Sequence, residues 1–145
     1  MHQRGMLGGV LVLALALGAG AAAASEEDPD GLACEFNAGN AWSYEGGDFR
    51  PATPAGISFE IADIDVEGQA ARLLTGNGGG SGTLRIVRAI NANHYLEVVT
   101  EGFLNLTTIY DRDPATGTFP AVHSRHFGLL GQPVFAQYTG VCRGK

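Results

Sequence analysis

Charge is scarce in this 145-residue chain, and positive charge scarcer still. Only 17% of residues are Asp, Glu, Lys or Arg, with 9 basic against 15 acidic and a formal net charge of −6. That balance argues against a nucleic-acid-binding domain, which needs a basic face. Cysteine is nearly absent, with two residues. They are far apart, so neither a C-x-x-C dithiol nor a zinc-ligand spacing exists. The 22 glycines keep no three-residue period, which excludes a collagen-like chain, and 45% apolar residues exclude a fully disordered one. After residue 24 no apolar run approaches the roughly 20 residues of a membrane span, and no stretch of 11 or more residues keeps a helical apolar period.

What is present falls into two pieces. Arg4 precedes the apolar run Met6–Leu17, small residues follow, and Ala22-Ala23-Ala24 fits a small-x-small cleavage site. Residues 1–24 therefore read as an export signal with Ser25 as the new N terminus. A transmembrane anchor fits less well, because Glu26-Glu27-Asp28 stands where a basic stop-transfer cluster belongs. Gly31-Leu32-Ala33-Cys34 is a poor lipobox, with Leu one place late. Removing residues 1–24 leaves 121 residues, 17 glycines and 8 basic against 15 acidic residues, a net charge of −7. The mature product is expected to be soluble, monomeric, free of membrane and nucleic acid, and located in the periplasm or medium. Residues 25–32 read as a flexible acidic leader, and residues 33–145 as one domain.

Cys34 and Cys142 both survive cleavage, and an oxidising compartment closes such a pair. The predicted disulfide ties the two ends of the domain together. Between them, β-type segments recur at the 8–12-residue spacing of a sandwich or barrel. They are Cys34–Tyr44, Ile57–Val66, Ala70–Thr75, Thr83–Ile90, His94–Thr100, Phe103–Tyr110, Phe119–Phe127 and Val134–Cys142. In the second, Ile57, Phe59 and Ile61 share a face while Ile64 and Val66 take the other phase, which predicts a bulge near Ala62. Short connections favour sequential antiparallel pairing. The expected fold is all-β, a small antiparallel up-and-down barrel of the calycin or lipocalin type with seven or eight strands; a β-sandwich is the alternative. Eight strands can close on side chains or on a ligand.

Most candidate motifs are weak. Gly76–Gly82 lacks the Lys and following helix of a phosphate loop and reads as an exposed connector. Asn105-Leu106-Thr107 matches the glycosylation tripeptide but lies inside a predicted strand. Asp63, Asp65 and Glu67 do not have the spacing of a calcium loop, and no pair among the scattered acids stands out as a glycosidase dyad. The exception is Ala121-Val-His-Ser-Arg-His126, which holds half of the chain's four His. On a strand, His123 and Arg125 face one way and Ser124 and His126 the other. One strand cannot aim both imidazoles at one metal, and no metal or cofactor is expected. If the His123 face points inward, Arg125 is a buried cation that needs a partner. Glu97 or Asp111 would make it a structural pair. An anionic ligand held by His123 and Arg125, with Asn105, Thr107 or Gln137 lending hydrogen bonds, would make it a site.

From His94-Tyr-Leu-Glu-Val through Ala121-Val-His-Ser-Arg-His126 to Gln137-Tyr138-x-Gly140-x-Cys142, the chain resembles a group of small exported proteobacterial proteins without a characterised activity. The resemblance spans about residues 57–142 and implies a bacterial, exported setting and no activity. Asn40-Ala41-Trp42 only echoes the lipocalin Gly-x-Trp, with Gly39 one place early. The leading expectation is a non-enzymatic barrel that binds a small anionic or amphipathic ligand or a protein partner. Two alternatives stand beside it: a hydrolase using His123 or His126 as general base, and an inhibitor or interaction module presenting Gly128–Pro133, where Leu129 and Leu130 are apolar.

Overall fold

In the computed structural model, residues 29–76, 80–99, 103–129 and 131–145 are described. The expected export signal and the first four residues of the leader lie outside them, as do residues 77–79 of the 76–82 connector and the whole 101–102 turn. Nine strands follow in order: β1 (Leu32–Glu45), β2 (Asp48–Ala52), β3 (Ile57–Asp65), β4 (Ala70–Leu74), β5 (Ser81–Arg88), β6 (Ala92–Val99), β7 (Phe103–Tyr110), β8 (Phe119–Leu129) and β9 (Gln132–Gly144). Each of β3 to β9 pairs antiparallel with the next, and β9 pairs back onto β1. The result is a closed eight-strand antiparallel barrel with one extra strand, and the sandwich alternative is set aside.

Strand β1 carries the closure. Residues 32–36 pair with β3 on one edge, residues 41–45 pair with β2 on that same edge, and the other edge runs along β9. The β1–β2 hairpin turns at Gly46-Gly47, whose φ values of +61° and +86° suit a two-residue hairpin turn that β-carbons would strain. Strand β2 was not expected from the sequence: it holds Pro51, and all five residues are exposed, so no apolar alternation marks it. The β1–β9 register shifts between Glu35 and Ala38. There the β1 backbone leans into Gly140, where a β-carbon would stand 2.8 Å from Phe36 Cα. The expected β3 bulge falls between Ala62 and Asp65, with Asp63 at φ +51°.

The interior is filled at mid-height. Phe36, Ile61, Ile86 and the Cys34–Cys142 disulfide are fully buried, and Leu32, Phe59, Leu84, Tyr95, Ile109 and Tyr138 complete the core. The disulfide joins facing residues of β1 and β9, so the chain ends are clamped inside the seam that closes the barrel. Gly31 and Leu32 are buried, and Gly31 O accepts from Lys145 N. Gly31 and Leu32, which the sequence assigned to a leader, therefore belong to the folded domain. Gly128 and Leu129 end β8 and Gln132 and Pro133 open β9, with Leu129 opposite Gln132, so most of the expected 128–133 contact loop is strand; Leu130 lies outside the described residues. Among the described residues no helix is long and apolar enough to cross a membrane.

Candidate functional site

Alternation along β8 decides the geometry. Ala121 and His123 are buried and Arg125 and Phe127 half-buried, while Pro120 and His126 are exposed. The His123 face is the inner one. Because neighbouring strands pair in register, inward residues form rows across the barrel. One row runs Tyr95, Thr107, His123, Tyr138 across β6 to β9. The next row, two residues nearer the β8–β9 turn, runs Glu97, Asn105, Arg125, Ala136.

The first row is closed. His123 is 6% exposed and Thr107 4%. Thr107 Oγ1 and His123 Nδ1 share one hydrogen bond of 2.8 Å. The imidazole packs among Phe59, Phe36 and Tyr138, with ring centroids at 5.2, 5.5 and 6.1 Å. Burial, and then the positive charge of Arg125, push its pKa from 6.5 down to about 4. His123 is therefore neutral at pH 7 and part of the core, and it supplies no positive charge to a ligand.

The second row is open. Glu97 Oε2 accepts from Asn105 Nδ2 at 2.7 Å. That bond fixes the carboxamide orientation and leaves Asn105 Oδ1 buried without a hydrogen-bond partner. An orphaned acceptor of this kind costs about 1–3 kcal/mol. On the far side of Asn105, the Arg125 guanidinium lies 6.0 Å from the centre of the Phe127 ring. Among the described residues, no carboxylate forms an ion pair with it. Neither expected structural partner serves: Glu97 is engaged by Asn105, and Asp111 is an exposed residue beyond the other end of β7. Gly82 of β5 makes room for the Glu97 carboxylate, since a β-carbon there would stand 2.6 Å from Oε1.

Four of the five expected ligand-binding residues, Asn105, Thr107, His123 and Arg125, thus come together inside the barrel. Gln137 does not. It is exposed between buried Ala136 and Tyr138, so the strand alternation turns it to the outside. Asn105 inside the barrel is also out of reach of glycosylation. His123 and His126 lie on opposite faces, and His126 stacks on Phe135 outside, at 6.3 Å between centroids. Among the described residues no three His, Cys, Asp or Glu side chains converge on one point.

Three features escaped the sequence reading. The Glu97–Asn105 hydrogen bond is one, and the room that Gly82 leaves for the Glu97 carboxylate goes with it. Beyond the open row, at the β8–β9 end, a pocket of about 700 Å³ is lined by Val99, Phe103, Phe127 and Val134 together with the outward Leu104, His126 and Phe135, and none of Glu97, Asn105 and Arg125 lines it. A second cavity of about 770 Å³ occupies the opposite end, over Leu32, Tyr95, Ile109 and Phe119 and beside the 111–118 loop. Comparison with protein-family models, curated proteins and solved structures returns no match for the chain, so its function rests on the chemistry of its own residues.

Proposed function

We propose that this chain is an exported, non-enzymatic β-barrel protein that binds a small ligand through an anionic group at the Arg125 end of the barrel. The observation that carries the reading is an inward, half-buried arginine without a carboxylate ion-pair partner among the described residues, two positions along β8 from Phe127, which lines an apolar pocket. Arg is suited to bidentate contact with a carboxylate or phosphate. Export is supported by the signal-like residues 1–24 and by the Cys34–Cys142 disulfide, which belongs to oxidising compartments. The likeness to small exported proteobacterial proteins fits the same setting.

Thermal-shift measurement against a metabolite library tests the reading. At least one anionic compound should raise the melting temperature of the wild type and leave Arg125→Ala unmoved. A library whose members protect both proteins equally removes the site.

A second reading, an interaction module, draws on the outer face. Trp42 stacks on Phe135 at 4.8 Å, and Phe49 meets Phe135 and Tyr44 edge-on at 5.7 and 5.1 Å. This aromatic group spans β1, β2 and β9 and includes the exposed Tyr44 and Phe49. Aromatic residues are enriched at the cores of protein interfaces.

A further inference from the structure

The cavity at the opposite end of the barrel, away from Arg125, holds about 770 Å³. That lies inside the range of roughly 300–1,000 Å³ for small-molecule sites. Its floor is the buried Tyr95 and Ile109, with Leu32 and Phe119 beside them. Ile64 and Val66 complete the wall, and the β3 bulge puts them there. Before it, Phe59 and Ile61 point into the core. The register shift between Ala62 and Asp65 then changes the inward phase, so Ile64 and Val66 turn toward the cavity. Bulges re-aim side chains in this way. One polar side chain joins these apolar ones from the strands. Asn93 shares the inner face of β6 with Tyr95. It is half-buried, it lines the cavity, and its carboxamide makes no hydrogen bond to another described residue.

Charge around the cavity cancels. Asp111 and Arg112 carry opposite signs, and Arg143 is ion-paired with Glu35 at 3.3 Å. A charged ligand would leave water for an apolar wall that offers no net countercharge, which is costly. A neutral one gains from the burial of its apolar surface. We infer that this cavity is a second binding site, for an uncharged, largely apolar molecule whose single hydrogen-bonding group meets the Asn93 carboxamide. The carboxamide supplies both a donor and an acceptor, so an N–H or an O–H on the ligand finds a partner there. The inference is independent of the Arg125 reading: it concerns the other end of the barrel and a ligand of different charge.

Two fluorescent probes that differ only in charge test it on the purified protein. N-phenyl-1-naphthylamine is neutral and carries one N–H, and 8-anilinonaphthalene-1-sulfonate is the same ring system with a sulfonate. Fluorescence titration reads affinity, and amide-resolved NMR reads location. The neutral probe should bind with a Kd on the order of 10 μM and move the amides of Ile64, Val66, Asn93, Tyr95, Ile109 and Phe119. The sulfonate should need roughly tenfold more to move the same amides, the equivalent of about 1.4 kcal/mol. Val66→Glu puts a charge on the wall and should weaken the neutral probe by roughly tenfold or more, while Val66→Leu should preserve its binding. Circular dichroism and melting temperature identify variants that have kept the fold, and only those are compared; the NMR map of the wild type stands without them. If the neutral probe gives no fluorescence gain at about 100 μM, the site falls. It falls equally if the amides that move lie around Trp42, Phe49 and Phe135, or around Val99 and Phe127. If the sulfonate moves the cavity amides at the same concentration as the neutral probe, the assignment of an uncharged ligand is overturned.

Discussion

Two adjacent rows inside one barrel, Thr107 with His123 and Asn105 with Arg125, are built on the same strands by the same alternation, and they end in opposite states. In the first, a polar pair is buried, mutually hydrogen-bonded and ringed by Phe36, Phe59 and Tyr138. In the second, a buried carbonyl has no donor and a cation has no anion among the described residues. The difference teaches where to look for function in a β-barrel. A polar group inside is not in itself a site, because a satisfied one is core. Unpaired groups of complementary character, gathered at a mouth, are what a ligand completes.

The strongest way to break this comparison is to delete the closed row. His123→Ala empties space among three aromatic rings and should cost about 3 kcal/mol or more, as ring-to-Ala changes in cores do. Denaturant unfolding measures it; a loss under about 1 kcal/mol would show that His123 is not core.

Acid should act nearly as strongly and through the same residue. The native pKa of His123 is lowered from 6.5 to about 4 by burial first and by Arg125 second. Between those values the unfolded chain takes up a proton that the folded one refuses, so stability falls as pH drops from 6.5 toward 4. The full window amounts to about 3 kcal/mol. Unfolding curves at pH 7, 5.5 and 4 should show it in the wild type, and His123→Ala should lose the part that belongs to this window.

The smallest effect on stability belongs to the open row. Arg125→Gln removes a charge that nothing among the described residues pairs, and it should change unfolding free energy by less than about 0.5 kcal/mol. In the same protein the His123 pKa, followed by NMR titration, should rise, since a nearby positive charge no longer opposes protonation. A destabilisation as large as that of His123→Ala would make the two rows alike and remove the argument for a ligand.

The comparison also marks how far the sequence could be read. The alternation of β8 was legible residue by residue, and so were the bulge near Ala62 and the Cys34–Cys142 pair. Those depend on local period and on there being only two cysteines. Strand β2 was not legible, because an exposed strand with Pro51 carries no apolar signal and is held by its register with Trp42 and Tyr44. Gln137 was placed in the site on residue type, and the alternation of β9 turns it outward. Glu97 was expected as a partner for Arg125, and register instead sets it beside Asn105, which engages it. Gly82 had no side chain to notice, and its role is the room it leaves.

By itself, the sequence determined an all-β domain, which residues share a strand face and its single clamp, because strand period, turn residues and cysteine count are local properties. Closure, row membership and the state of each polar group were decided only by the tertiary structure. Register is a relation between strands, and a one-residue slip would have set Asn105 outside and Arg125 beside a different neighbour. The same physics makes His123 a core residue and Arg125 a candidate ligand contact. They lie two positions apart on one face, and only the three-dimensional pairing gives the first a partner and leaves the second without one.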